Sequence, residues 1–453
     1  IIFLKIFIFE YKKIFYSFNE SYFFWKIFII LFLKILSHLI FFFFNFKFIA
    51  FKIRNWCIDR CKLILGENEM ADLASGLIFG YRDEIDESTQ KAFVETGSVH
   101  LLAVSGMHVA LIYINILLLL KVIGIRRLLG EKKMMLIAVS LIWVFTFVAG
   151  LSASVVRASL MLTILVVGKL FGRKGTGLNT VFSGAVLMIA FQPLVIYDVG
   201  FQLSFSAVLG IILLQHRVKM YLPPSLSKFK SLSDLITVTL AAQLGTIPLI
   251  LYHFHQFPVY FLLSGIVAVF ISDWVIKIGL AVVMISAFNT SLALYFGPLW
   301  ELSVTALLKS VEGISRIPFG LVTGIYFSFV MATVLTGMLI LTYIHIQKRV
   351  RYFGKVMLAG VMLLMFLDEW SLFVASKTEN STEMLIRNRQ VTIIQKGLSG
   401  MIVADNRLDS MYVMNKVSGY LTASRIKDIK YQMITQNDIG HIEQRREISG
   451  LSE

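Results

Sequence analysis

The stretch HLLAVSGMHVALIYIN, residues 100–115, sets His100, Ser105, Gly106 and His108 inside an otherwise apolar run. Ser105 and His108 stand at i, i+3, so on a helix their side chains can touch. A serine beside a histidine base is part of a nucleophilic hydrolase site. No acid stands at helical spacing to orient that histidine. His100 and His108 are eight apart, about 80° round an ideal helix, and do not form the i, i+4 pair of a helix-borne zinc site. Three more stretches put polar groups among apolar ones. AGLSASVVRASLM (149–161) holds Gly150, Ser152 and Arg157. YDVGFQLSFSAVLG (197–210) holds Asp198, Gly200, Gln202 and Ser204. AAQLGTIPL (241–249) holds Gln243, Thr246 and Pro248, and YHFHQFP (252–258) follows with His253 and His255.

These groups sit in a chain that is 57% hydrophobic and 16% charged over 453 residues, with mean hydropathy +0.77. A soluble domain is nearer a quarter charged. Apolar runs at 101–120, 134–150, 153–169, 179–196, 200–216, 234–252, 258–288, 291–312, 321–344 and 356–373 predict an all-α polytopic membrane protein of about ten spans. Some spans are expected to be broken or re-entrant. The run 258–288 is too long for one straight helix and contains Asp273 and Lys277, so a break is expected there. Gly106, Gly150 and Gly200 each lie where a helix could stop and restart. Freed N–H groups at such points can receive anions, and Arg157 would add a fixed positive charge. Small residues in LAVSGM, AGLSAS and SFSAVLG permit close helix approach.

The net charge of +15 is mainly the positive-inside bias of a multi-span chain. The segments 121–135, 168–175, 216–230 and 345–355 are all basic, and two, two and four spans separate them. Even numbers put all four on one side, the cytoplasmic side, and place 81–97 and the tail outside. Glu84, Asp86 and Glu87 within 81–97 could do acid/base work, but read first as the solvated face of a helix. Cys57 and Cys61 lack the second pair that a zinc site needs and read as packing residues.

Residues 377–453 form short alternating runs cut by Gly, Asn and Asp, predicting a small β-rich extracytoplasmic module. With the single histidine His441, this tail is not expected to hold a metal nuclease. No metal or other cofactor is expected, nor any ATP-driven activity, since no GxxxxGK[ST] motif occurs. Residues 1–50 are built almost wholly from Phe, Ile, Lys, Leu and Tyr. They read either as a hydrophobic segment, 23–50 being long enough to span, or as translated upstream DNA; the second reading is preferred, and no function is assigned to them.

In this order TGSVHLLAVSGMHVALI (96–112), AGLSASVVRASLM (149–161), YDVGFQLSFSAVLGI (197–211) and AAQLGTIPLILYHFHQFP (241–258) resemble the membrane core of the ComEC/Rec2 competence family, across about 51–345. The resemblance implies a channel that passes single-stranded DNA across the cytoplasmic membrane during natural transformation. It also implies a DNA receptor and a motor or helicase as partners beside membrane lipid, with strand degradation left to a separate nuclease. Residues 1–50 lack the turns of the OB-fold domain found in family members, and the tail lacks the ligands of their metallo-β-lactamase-like domain. His100, Ser105, Gly106, His108, Gly150, Ser152, Arg157, Asp198, Gly200, Gln202, Ser204, Gln243 and Pro248 are the candidates for the DNA path. Two alternatives stay open: an intramembrane hydrolase using Ser105 and His108, and a small-anion transporter, which would show inverted repeats.

Overall fold

A computed structural model of the chain describes residues 48–434, apart from 103, 173–176, 224–229, 349–350, 387–388, 406–407, 409 and 427. The segment 1–47, His441 and parts of three basic stretches lie outside the described residues.

The described chain begins with a helix at 48–65 (α1). Next come α2 (Glu69–Phe79), α3 (Glu87–Glu95), α4 (Gly106–Val122), α5 (Ile125–Val148), α6 (Ala153–Leu170), α7 (Gly177–Phe191), α8 (Val199–Met220) and α9 (Lys230–Phe254). A short strand β1 (Gln256–Pro258) leads to α10 (Phe261–Phe288), α11 (Thr290–Ser315), β2 (Leu321–Thr323), α12 (Phe329–Lys348) and α13 (Phe353–Lys377). Among the described residues seven helices are long and apolar enough to cross a membrane: α6, α8, α9, α10, α11, α12 and α13. The chain is a helical membrane protein. Helices α4 and α7 are apolar but shorter, and α5 bends at Gly130, whose φ of 80° leaves the helical region.

Helix starts follow local capping chemistry. Asn68 accepts from the N–H groups of Met70 and Ala71, Asp198 from that of Phe201, and Asn289 from that of Leu292. Each satisfies N–H groups that the first helical turn leaves without a partner. Apolar α2 is too short to span and is instead buried within the bundle. Its Leu73, Ala74, Leu77 and Ile78 are fully covered, packed against α10 and α11. Trp300 of α11 is also fully buried, in space left by Gly279, where a Cβ would fall 2.7 Å from its ring and 2.5 Å from Ile78. Hydroxyl pairs tie neighbours together: Thr146 of α5 with Ser159 of α6 at 2.7 Å, and Ser98 with Ser264. Such interhelical bonds contribute roughly 0.6 kcal/mol each in lipid.

One expectation is corrected. The run 258–288 is not broken: α10 is one helix of 28 residues. Its two charges form an i, i+4 ion pair, with Lys277 Nζ 2.6 Å from Asp273 Oδ2, so neither needs a break to find a partner. The three glycines expected where a helix could stop and restart do lie at helix ends. Gly106 is the first residue of α4, Gly150 turns the chain between α5 and α6 with φ 74°, and Gly200 sits in the first turn of α8. Pro248 lies inside an uninterrupted α9.

The tail module is β-rich, as expected, with one helix added to its sheet among the described residues. Strands β3 (Glu379–Ile386), β4 (Arg389–Lys396), β5 (Ser399–Asp405) and β6 (Asp428–Ile434) form one sheet in that order. The first two pairings are antiparallel and β5–β6 is parallel. Parallel neighbours need a crossover, and α14 (Ser410–Ala423) supplies it, covering the sheet with Val413, Val417 and Leu421. The sequence pattern missed α14 because its apolar residues lie between turn-forming ones. Arg425 fastens this module to the bundle: its Nη2 bonds Asp368 and Ser371 of α13, and its guanidinium lies 3.9 Å from the centre of the Tyr326 ring.

Candidate functional site

Ser105 is the N-cap of α4. Its Oγ accepts from His108 N at 3.4 Å, and Ser105 N donates to His108 Nδ1 at 3.3 Å. This is a capping box with histidine in the place usually held by Glu or Gln. His108 Nδ1 spends its lone pair on the serine's backbone N–H, so it is not placed to take the Oγ proton. The proton of the neutral ring then sits on Nε2, which is buried without a hydrogen-bond partner. His108 is fully buried, whereas Gly106 is exposed. His100 has a different partner, its Nδ1 lying 3.2 Å from Gly97 O.

If capping is the role of Ser105, function should follow the cap and not the nucleophile. Ser105→Ala is expected to lower stability by about 1 kcal/mol. Ser105→Asp caps without a hydroxyl nucleophile and is expected to keep parent stability and activity, read by melting in detergent and by a cellular uptake assay. Loss of activity in a well-folded Ser105→Asp protein would restore the catalytic reading.

Arg157, on the first half of α6, is 5% exposed. Its Nη2 donates to Ser204 Oγ at 3.0 Å, and its Nη1 lies 3.7 Å from Asp198 Oδ1. The same Asp198 oxygen caps α8 through Phe201 N at 2.6 Å. Gly200 makes room: a Cβ there would lie 3.1 Å from Asp198 Oδ1 and 3.4 Å from Arg157 Nη2. Four candidates thus meet as one latch between α6 and α8. Gln202 points elsewhere. Its Nε2 donates to Ile196 O at 2.9 Å, and its Oε1 accepts from His253 Nε2 at 2.8 Å. His255 instead uses Nδ1 on Ile325 O at 3.2 Å, so the two histidines of YHFHQFP do not converge. Among the described residues no cluster of three or more His, Cys, Asp or Glu could hold a metal ion.

Gly150 and Ser152 stand at the α5–α6 turn, away from the latch. Gly150 faces Arg54 of α1, whose Nη1 would lie 2.7 Å from a Cβ built there. The Ser152 hydroxyl is buried without a partner. Gln243 and Pro248 lie along α9, and Gln243 Nε2 is also buried without a partner. Two carboxyls of 81–97 have partners close by. Glu84 pairs with Lys62 at 2.5 Å, which holds its carboxyl below the usual range. Asp86 caps α3 and is lowered by bonds from Ser88. Carboxyls held down in this way stay charged at neutral pH and are poor proton donors.

Residues that were not singled out complete the arrangement. Ser154 Oγ donates to Val104 O at 2.5 Å, pinning α6 to the start of α4. Pro258 fills the space beside Gly97, 2.7 Å from where a Cβ would sit. The contacts therefore close on themselves. They run from 104 to 154, from Arg157 to Asp198 and Ser204, from Gln202 to His253, along the chain to Pro258, and back through Gly97 and Ser98 to 104. β1 pairs with β2 beside this circuit. The circuit thus lies at one end of the bundle, where α4, α6 and α8 begin and α9 ends, while Gln243 stands about 16 Å back along α9. Spacing along the chain gives no signal for such long-range closure, although the Gly and Pro of 97 and 258 mark places of close approach.

The model of the competence protein family matches residues 77–349, well over half of the chain. The chain belongs to the competence protein family. ComE operon protein 3 of Bacillus subtilis (strain 168) is 26% identical over 332 residues, 71% of this chain and 41% of that protein. An uncharacterized protein of Aquifex aeolicus (strain VF5) is 28% identical over 245 residues, covering 53% of this chain and 55% of its own length. The chain thus spans about half the length of these two proteins. No solved structure matches. The matched region contains every candidate residue and the whole circuit, and stops before α13 and the tail module.

Proposed function

We propose that this chain forms the membrane conduit through which one strand of DNA passes during competence. The observation that carries the reading is the circuit of contacts at one bundle end, made of polar links between helices and closed by Pro258 packing on Gly97, built wholly from the family-matched region. An aqueous path through a bundle needs polar groups at its mouth and close helix packing elsewhere. In this reading the circuit frames the outer mouth. The basic stretches at 121–135, 168–175, 216–230 and 345–355 lie at the opposite, cytoplasmic end by the positive-inside rule, which gives ten spans with α4, α5 and α7 included and an extracytoplasmic tail module. Three helix N-termini, those of α4, α6 and α8, would turn their positive dipole ends toward an arriving polyanion. The DNA receptor, the motor and any nuclease would be separate proteins. Arg157 enters this mechanism as a positioning residue. It is buried against Ser204 and Asp198, so it holds the mouth together and does not itself ride along the phosphates.

The test is uptake of labelled DNA by a competent strain that lacks its own family member and expresses this full chain. Label that is single-stranded and protected from added nuclease should appear in the cytoplasm above the level of the empty strain. Uptake at the empty-strain level, with the protein present in the membrane, would overturn the reading.

A further inference from the structure

Between the first turns of α1 and the α5–α6 turn lies a cavity of about 320 Å³. Phe48, Ala50, Phe51 and Arg54 of α1 line one side, and Phe147, Gly150 and Leu151 line the other. Arg54 is the only charged residue among them. The turn is set by its own backbone. Gly150 N donates to Phe147 O and Leu151 N to Thr146 O, both at 3.0 Å, which is a Schellman ending for α5. Gly150 and Leu151 both take positive φ, 74° and 54°, so the chain reverses tightly there and Leu151 becomes part of the wall.

Arg54 has donors to spare. Its Nε is covered and has no hydrogen-bond partner. Its Nη1 lies against Gly150, 2.7 Å from where a Cβ would sit, and its guanidinium stands 5.6 Å from the centre of the Tyr81 ring. Among the described residues no carboxylate pairs with it. A guanidinium offers its N–H groups in a planar fork that matches a phosphate. The surroundings are those of an amphiphile. Phe48 and Phe51 at the rim are 57% and 58% exposed, and Ile49 and Ile53 beside them are exposed as well. Lys52 Nζ lies 4.7 Å from the centre of the Phe48 ring. Over its length α1 carries Lys52, Arg54, Arg60 and Lys62 against Asp59 alone. Exposed apolar side chains with cations among them suit a helix at a membrane surface. The cavity also adjoins the start of the span α6. That span has 18 residues, about 27 Å at 1.5 Å per residue, so its ends fall near the lipid head groups.

We propose that this cavity binds one acidic phospholipid, with its phosphate on Arg54 and the upper part of its chains along Phe48, Phe51, Phe147 and Leu151. The volume is at the small end for a ligand pocket, so the cavity takes the head-group end and the chain ends stay in the bilayer. A bound lipid joins α1 to the α5–α6 turn and gives the spare guanidinium a partner. The wall holds one cation, whereas a DNA strand is held by many. The site stands apart from the conduit reading and does not depend on it.

The test is native mass spectrometry of the full chain in detergent, delipidated and then offered phosphatidylglycerol or phosphatidylcholine with the same acyl chains. The parent should retain phosphatidylglycerol at least about fivefold better, the preference that one cation gives for an anionic head group. Arg54→Gln should bring the two lipids to parity, and Arg54→Lys should keep part of the preference. Arg60→Gln, on the same helix but outside the wall, should match the parent. Inorganic phosphate at millimolar concentration should not displace the lipid, because it has no chains for the rings to hold. Equal retention of both lipids by the parent, or retention of neither, would overturn the proposal. So would an Arg54→Gln protein that elutes as the parent does in gel filtration and keeps the parent's preference. Displacement by inorganic phosphate would make this a free-anion site and overturn the lipid assignment.

Discussion

Replacing Gly210 or Gly245 by leucine is expected to destroy the folded membrane core. A Cβ built on Gly210 would lie 2.5 Å from Ala241 O and 3.0 Å from Gly245 Cα; one on Gly245 would lie 2.5 Å from Ser206 O and 3.0 Å from Gly210 Cα. The clashing atoms are backbone, so no side chain can rotate away and the two helices must separate. α8 and α9 make the most extensive helix pair in the bundle, and their crossing sets two small-xxx-small pairs against each other: Ser206 with Gly210, Ala241 with Gly245. Overpacking a tight core costs typically about 1–3 kcal/mol, occasionally more. A leucine here belongs at or beyond the upper end, since it also breaks contacts along both helices. Even Gly210→Ala should lower the melting temperature in detergent clearly, and Gly210→Leu should abolish the monodisperse peak in gel filtration. Gly337→Leu, where a Cβ meets nothing within 4 Å, is the control. A parent-like melting temperature for Gly210→Leu would show that this crossing is not tight.

The second large effect is expected at Arg157. Arg157→Gln leaves Asp198 and Ser204 without the group that joins them and removes the α6–α8 latch. A hydrogen bond to a charged group contributes about 1.5–3 kcal/mol. The ion pair adds little, since Asp198 is half exposed and its partner is 3.7 Å away. DNA uptake should fall at least about tenfold while the protein still reaches the membrane. Leu118→Ala, at a side chain 60% exposed, should leave uptake unchanged. Asp198 separates two causes. Asp198→Asn keeps the cap on α8 and removes the charge, so it should be milder than Asp198→Ala, which loses both. Equal uptake by Arg157→Gln and Leu118→Ala would remove the latch from the mechanism.

Both effects arise from residues visible in the sequence whose roles were not. The small residues of SFSAVLG announced close approach, and the four polar stretches stood out because polar groups are rare in apolar runs. Helix positions followed from the runs themselves, since the length of a span is imposed by the bilayer. Family membership was legible for the same reason, the stretches being distinctive one by one.

The tertiary structure decided which partner each polar group takes. Ser105 and His108 have the same spacing in a catalytic pair and in a capping box; the direction of the hydrogen bonds separates the two, and only coordinates show it. Asp273 and Lys277 looked like a reason for a helix to break, yet the i, i+4 geometry satisfies them within one helix. Arg157 looked like an open anion site and is instead buried against Ser204 and Asp198, 47 and 41 residues further along the chain. Periodicity reports which side of a helix is apolar. It cannot report which distant helix stands opposite, because that choice is made by packing between segments that the sequence keeps far apart.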